Sequence, residues 1–376
     1  MELIHLLYII VSGIYFLLIL WLIIGTYRLP KTENLTAEEN HQFSIIIPFR
    51  NEEKHLPELL DSIKQLEYSR YNFEILFVDD DSSDKSVNII ENSLEKSKID
   101  FQILVNERHS KSPKKDAIQT AISKSKFKWI ITTDADCILP KLWLKSFNSL
   151  LSKSNSKLIA APVELIHNNS FVQKFQMLEV LGLQTATSGS FGWNLPFLTN
   201  GANLYFEKET FLKLSGYEGN NHIASGDDIF LLEKFISNNI QIEFLNSQNA
   251  TVKTHPELNW KDVINQRIRW ASKTKNYQLK RGKVIGSIVF LMNLCIIVGI
   301  PMTAFNSIES MVLLSIFGIK FFVDFLSMIV QVKEKNKSTL FSAYLISSLI
   351  YPFLSVWIVV KSLTNNYQWK GRTHKT

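Results

Sequence analysis

Cysteine is nearly absent from this chain of 376 residues: Cys137 and Cys295 are the two, far apart and each in an apolar stretch. That excludes a disulfide framework and any cysteine-based metal spacing. The eight histidines are scattered and form no ligand pair at helical spacing. Glycine and proline are scarce, at 14 and 10, so a collagen-like chain is excluded. No glycine-rich loop follows any candidate strand, which removes both the dinucleotide fingerprint and the P-loop. Charge of one sign is also lacking. The 41 basic and 35 acidic side chains leave a net charge of +6, too small to argue for nucleic acid and better suited to basic flanks on membrane segments. A hydrophobic content of 46% rules out a disordered chain, and the length allows about two to three domains.

What is abundant is apolar sequence, and it gathers at the ends. Leu3 to Gly25 is an apolar run long enough to cross the roughly 30 Å hydrocarbon core at 1.5 Å per residue. It has no basic start, and Thr26-Tyr27-Arg28 follows it in place of a small-residue cleavage site, so it reads as a retained anchor (residues 1–27). Further runs occur at Val284–Phe305, Met311–Val332 and Leu340–Val360, giving about three more spans over 284–361. Arg28 and Lys31 after the first run, and Lys273, Lys275, Lys280, Arg281 and Lys283 before the second, place both ends of the central block in the cytosol. An integral protein of the plasma or inner membrane is therefore expected. The basic tail, 362–376, favours the inside, whereas three exit spans put it outside; a segment that is re-entrant or lies along the interface would reconcile the two. Lys320 and Asp324, four apart, are placed to pair on one helix face.

Between the anchors, strand and helix patterns alternate. Phe43–Phe49, Phe73–Val78, Phe101–Val105 and Lys128–Thr133 read as short buried strands. Helical stretches at Asn51–Leu66, about Asp84 to Lys96, and Pro113–Ser123 separate them. Such alternation implies right-handed crossovers and a mainly parallel sheet, an α/β domain over residues 40–255. Ligands of these sheets sit outside the carboxyl ends of the strands. There the sequence places Pro48-Phe49-Arg50-Asn51-Glu52, Asp79-Asp80-Asp81 and Asp134-Ala135-Asp136.

The acidic groups carry the chemistry. Asp-x-Asp is short enough to arise by chance, and a helix cap is its bland explanation. At a strand end, however, residues i and i+2 point to one side, so Asp134 and Asp136 can converge on a hard cation such as Mg²⁺ or Mn²⁺ with phosphate completing the shell. Asp84 or Ser82 reads as a helix N-cap. Asp79 and Asp80, which repel each other, suit acceptance of hydrogen bonds from a nucleobase or ribose. Gly226-Asp227-Asp228 opens an apolar helix, Ile229–Ile236, and is either a cap or a general base assisted by a neighbouring carboxylate. Gln266-Arg267-Ile268-Arg269-Trp270 lies in an amphipathic interface segment, 256–283. Gln266 and Arg269 share a face there, and a guanidinium suits a diphosphate leaving group. A basic helix lying on the inner membrane surface is the alternative.

These motifs, in this order, resemble the membrane-integrated family 2 glycosyltransferases, the group of ceramide glucosyltransferases, carotenoid glycosyltransferases and hyaluronan and cellulose synthases. The resemblance covers roughly residues 43–275. It implies a nucleotide-diphospho-sugar transferase (GT-A, Rossmann-like) domain flanked by transmembrane helices, and an enzyme of the hexosyltransferase type. It further implies that Pro48, Asn51, Glu52, Asp79, Asp80, Lys114, Asp134, Gln266, Arg269 and Trp270 bind the nucleotide-sugar, and that Asp136 with Asp134 holds Mg²⁺ or Mn²⁺. Gly201, Ala202 and Asn203 would line the sugar and acceptor pocket, with Asp228 and Asp227 catalytic. Trp369-Lys370-Gly371-Arg372 is similar to tails of related enzymes. Two positions depart from the family pattern: Asp81 stands at a usual Gly, and Asp227 at a usual Glu.

The expected reaction is inverting displacement, with Asp228 deprotonating an acceptor hydroxyl. The partners are a nucleotide-diphospho-sugar donor, a lipid or glycan acceptor and membrane lipids, with no nucleic acid. About four spans leave little to build a polymer channel, which favours single transfer to a lipid hydroxyl. A processive polysaccharide synthase is the alternative, supported by the Gln-x-x-Arg-Trp motif. A non-catalytic membrane protein retaining the fold is disfavoured by the persistence of all three acidic sites.

Overall fold

The structure, a computed structural model, describes residues 2–32, 35, 37–166, 170–332, 337–364, 367–369 and 372–374, with the backbone alone for 337–339 and from 364 onward. Lys370, Gly371 and Lys375 of the tail lie outside the described residues. In chain order the elements begin with α1 (Glu2–Arg28), β1 (Phe43–Phe49), α2 (Leu56–Lys64), β2 (Phe73–Asp79), α3 (Ser86–Leu94), β3 (Asp100–Val105), α4 (Pro113–Lys124) and β4 (Trp129–Thr132). There follow β5 (Cys137–Ile138), α5 (Trp143–Leu151), β6 (Leu158–Ala160), β7 (Val163–Leu165), α6 (Phe171–Gly192), β8 (Leu204–Glu207), α7 (Lys208–Lys213) and α8 (Asp227–Ser237). The last are β9 (Ile242–Phe244), β10 (Val252–Thr254), α9 (Trp260–Ser272), α10 (Lys280–Ala304), α11 (Ser310–Ile329), α12 (Lys337–Thr364) and the hairpin β11 (Tyr367–Trp369) and β12 (Arg372–His374).

The chain divides into two compact units. The sheet unit comprises residues 30–166 and 198–255. Its main sheet has seven strands in the order β3-β2-β1-β4-β8-β6-β9. β3, β2, β1 and β4 run parallel, whereas β8 is antiparallel to both β4 and β6. The apolar sequences FSIIIPF and FEILFVD are buried along nearly their whole length, as strands covered on both faces must be. Pro48 is tolerated in the central strand because pairing with β4 has already ended at Ile46–Thr132. From β1 the chain winds outward through β2 and β3, then crosses back to β4 on the other side of β1. The carboxyl ends of β1 and β4 therefore flank the switch point where such sheets bind ligands. A small second sheet, β5-β10-β7, adjoins the strands that follow.

Helix α2 starts five residues later than its apolar period suggests. Residues 51–53 are drawn into a loop instead, by Asn51 N–H to Ser82 Oγ (3.0 Å), Glu52 N–H to Ser86 Oγ (2.8 Å) and Glu53 N–H to Asp84 Oδ2 (3.0 Å). Pro57, free of any helical donor requirement, then opens the helix.

The second unit gathers residues 1–29, 167–197 and 256–376. Four of its helices, α1, α10, α11 and residues Leu340–Leu363 of α12, are long and apolar enough to cross a membrane. Helix α6 was not foreseen, and it clusters with these helices although the sequence reading put it inside the 40–255 domain. Its glycines explain the docking. A Cβ on Gly189 would lie 2.1 Å from the Leu22 carbonyl oxygen, and one on Gly192 would lie 1.8 Å from that of Gly25. Small residues thus let the α1 and α6 backbones meet, as between membrane helices. Trp21 stacks on Trp193 at 5.7 Å and its carbonyl accepts the Trp193 indole N–H, sealing the crossing. Lys320 pairs with Asp324 as their spacing suggested, and the Tyr15 hydroxyl donates to the same carboxylate.

Candidate active site

Four loops at the carboxyl ends of β1–β4 build a polar rim on the sheet unit. The first part surrounds Asp80. Its backbone N–H donates to the Phe49 carbonyl, which ties the end of β2 to the end of β1. The Asp80 carboxylate accepts from Arg108 Nε at 2.6 Å and from Asn106 Nδ2 at 2.7 Å, while Arg50 Nη1 donates to the Asp80 carbonyl at 2.6 Å. Asp79 receives the Ser82 N–H. Asp81, which replaces a glycine of the family pattern, adopts φ +69°. An Asp tolerates that left-handed conformation better than most residues, so the turn survives the substitution. Asn106 also donates to the Pro113 carbonyl at 3.0 Å and so joins this cluster to the start of α4.

The next residue of α4 makes the second cluster. Lys114 Nζ lies 2.6 Å from Asp134 Oδ1 and 3.1 Å from Asp227 Oδ2. Asp228, adjacent at the start of α8, accepts the Gly201 N–H through Oδ2 at 3.2 Å and its neighbour Ile229 N–H through Oδ1 at 2.7 Å. Gly226, at φ +83°, makes the left-handed turn that places both carboxylates at the helix start. Gly201 allows the close approach: a Cβ there would stand 2.6 Å from Asp227 Oδ2. Carboxylates 20 and 113 positions further along the chain thereby meet around one ammonium.

Electrostatics follow from that crowding. Burial opposes the charge on Lys114, but Asp134, Asp227 and Asp228 outweigh it and raise its pKa above the ordinary lysine range. Burial raises the Asp134 carboxyl; Lys114 opposes this, and Asp136 and Asp227 add to the rise. The Cys137 thiol is pushed well up by burial and by Asp136 and Asp134, which keeps it protonated and excludes it as a nucleophile.

The site residues divide as follows. Pro48, Asn51, Glu52, Asp79, Asp80, Lys114, Asp134, Asp136, Gly201, Asp227 and Asp228 all belong to the sheet unit. Asn203 is fully buried; its amide donates to the carbonyls of Pro162 and Ala250, and its carbonyl accepts the Trp143 indole N–H. Ala202 is buried with it. Gln266, Arg269 and Trp270 lie on α9 in the other unit. There Gln266 Nε2 donates to Glu257 at 2.9 Å. The buried guanidinium of that motif is Arg267, which contacts Glu179 at 2.9 Å and covers the Trp270 ring at 4.3 Å. Arg50 belongs to the polar run after β1 but has no role of its own in the sequence pattern, and Asn106 and Arg108, which follow β3, belong to no motif.

For a divalent cation, the donor set fits a hard ion: Asp136 and Asp134 offer carboxylate oxygens, though from the turn that joins β4 to β5 rather than from the extended backbone the sequence pattern suggested. Among the described residues no three His, Cys, Asp or Glu side chains converge to hold a metal unaided. The remaining ligands would have to come from substrate phosphate and water, as is usual for Mg²⁺ and Mn²⁺.

Comparison with known sequences settles the class. The profile of Glycosyl transferase family 2 matches residues 44–210, and that of Glycosyl transferase family group 2 matches residues 129–360. The chain belongs to the family 2 glycosyltransferases. A mannosyltransferase of Pyrobaculum calidifontis, solved with GDP-Man and Mn²⁺, superposes with a TM-score of 0.59 at 15% identity, covering 96% of this chain and 99% of that one. The likeness is one of fold, with the sheet unit of the GT-A type. Two curated relatives match over short segments. The poly(ribitol-phosphate) β-N-acetylglucosaminyltransferase TarS of Staphylococcus aureus is 40% identical over 50 residues, 13% of this chain. The undecaprenyl-phosphate 4-deoxy-4-formamido-L-arabinose transferase of Proteus mirabilis is 39% identical over 59 residues, 15% of this chain. The matches span 9% and 18% of those relatives' own lengths.

Proposed function

We propose that this glycosyltransferase moves a sugar from a nucleotide-diphospho-sugar to a hydroxyl of a lipid, with inversion at the anomeric carbon. The observation that carries the reading is Lys114 bridging Asp134 to Asp227 beside Asp228, which unites two separate acidic motifs. Asp228 is the general base. Its carboxylate is oriented by two backbone N–H groups and takes the proton of the acceptor hydroxyl as that oxygen attacks. Lys114 holds Asp134 and Asp227 in place and offers positive charge to the departing diphosphate. Asp136 and Asp134 would hold Mg²⁺ or Mn²⁺, which when bound supplies further neutralisation of the leaving group. Asp79 and Asp80 serve the nucleoside end, framed by Arg50 and Arg108. The donor complex of the archaeal mannosyltransferase supports this nucleotide-sugar reading.

Four apolar helices favour a membrane-borne acceptor, and the basic residues after α1 and before α10 favour a cytosolic face for the sheet unit. The Gln-x-x-Arg-Trp grouping on α9 is the observation that favours processive polymer synthesis as a second reading. Asp136→Ala tests the cation assignment: titration with UDP and GDP should lose its dependence on added Mn²⁺, and an unchanged Mn²⁺ dependence would refute it. Product length from a radiolabelled donor separates single transfer from polymerisation.

A further inference from the structure

Lys115 is fully buried, and neither the acidic cluster nor the nucleotide end uses it. Consecutive residues of a helix diverge by about 100°, so while Lys114 reaches the acidic cluster, Lys115 points elsewhere. Its Nζ lies 2.7 Å from the Asn220 carbonyl, 3.0 Å from Asn220 Oδ1 and 3.0 Å from the Ile223 carbonyl. Three ammonium protons thus meet three oxygens of the loop that leads into Gly226-Asp227-Asp228. That loop is a pair of successive turns, Asn220 N–H to the Tyr217 carbonyl and Ile223 N–H to the Asn220 carbonyl, so the lysine grips it where the turns join. The ammonium also faces the ring of Phe230, in the first turn of α8, at 4.8 Å.

We propose that Lys115 is a positioning residue for the catalytic pair: by clamping Asn220 and Ile223 and facing Phe230, it fixes the start of α8 and hence the aim of Asp228. The proposal rests on the reading of Asp228 as the base. An ammonium is an expensive core filler, because an apolar side chain of the same length would pack there without desolvating a charge. Its geometry is explained by the need to hold a loop of carbonyls that has no ladder of its own. The two neighbouring lysines of α4 then divide the work, one holding Asp227 by its carboxylate and the other holding the backbone that presents it.

The test uses the full chain in phospholipid vesicles containing diacylglycerol, with release of UDP or GDP followed across a panel of UDP- and GDP-sugars. Misplacing a catalytic group by about 1 Å costs roughly 100-fold, so Lys115→Met should lower kcat by about that factor. The donor KM and the affinity for UDP or GDP should stay unchanged, and Lys115→Arg should recover part of the loss. In an Asp228→Asn background, Lys115→Met should have little further effect, because there is no base left to misdirect. Asn220→Ala, which removes one of the three acceptors, should show the same pattern at smaller size and serves should Lys115→Met fail to fold. A full kcat in Lys115→Met, or an equal loss in both backgrounds, overturns the proposal. Retention of turnover by Asp228→Asn alone would instead overturn the assignment of the base.

Discussion

The two polar clusters on the rim look alike in sequence, since each begins with adjacent or near-adjacent aspartates at a strand end. In space they are opposites. At Asp80, cations converge on a carboxylate: Arg108 contacts the side chain at 2.6 Å and Arg50 contacts the backbone beside it. At Lys114, carboxylates converge on a cation, with Asp134 and Asp227 both within 3.1 Å. The first arrangement fixes an acceptor in one orientation, as recognition of a base or ribose requires. The second gathers like charges that would otherwise separate, and keeps them beside Asp228. On the proposed reading, the counter-charge, more than the aspartates themselves, distinguishes the nucleotide end from the catalytic one.

Removing the shared cation is the severest way to break this contrast. Lys114→Met leaves two carboxylates facing each other, that of Asp227 largely buried and that of Asp134 about a third exposed, so the cost falls below the roughly 3–5 kcal/mol of a fully buried pair that loses one partner. Turnover should fall about 1000-fold or the fold should loosen, and kinetics together with thermal unfolding will register one or both. Acidification is a milder probe. Burial raises the Asp134 pKa, so donor binding should weaken on acidification at a pH above the usual carboxylate value of about 3.9. The stability effect has the opposite sign: a raised folded-state pKa favours the protonated form, so this carboxyl weighs least on the fold at low pH and most once pH has risen through its pKa. UDP or GDP titrations between pH 7 and 4 should show the decline in the parent chain and a flatter curve in Asp134→Asn. The smallest effect belongs to the other cluster. Arg108→Ala removes a partly exposed guanidinium, one of several groups around a largely buried carboxylate, and should weaken nucleotide affinity by about tenfold or less while leaving kcat intact.

Much of this was legible without coordinates. β1 falls at the residues the pattern marks, and β2, β3 and β4 fall within one residue of them; β1, β2 and β4 are covered on both faces, which admits little but apolar residues, whereas β3 is the partly exposed edge. The four long apolar helices and the Lys320–Asp324 pair are equally direct readings of length and spacing. Helix α6 was hidden for a physical reason: its polar residues Gln173, Gln176, Thr185 and Ser188 are buried, so no clean apolar stripe marks it. The partner of Asp134 was hidden as well. Lys114 reads as a donor contact by resemblance, but only folding shows that it binds Asp134 and Asp227 together. Arg108 and Lys115 carry no motif. Each is a basic residue whose meaning depends on which oxygens the fold brings to it.

The most direct test of the account is Asp228→Asn in the full chain, with turnover and Mn²⁺-dependent UDP or GDP binding measured on the same preparation. Loss of a general base costs roughly 10²- to 10⁴-fold, and the account predicts such a fall in turnover with nucleotide affinity changed by no more than about threefold. Turnover within about tenfold of the parent, or an equal loss of turnover and nucleotide binding, would contradict it.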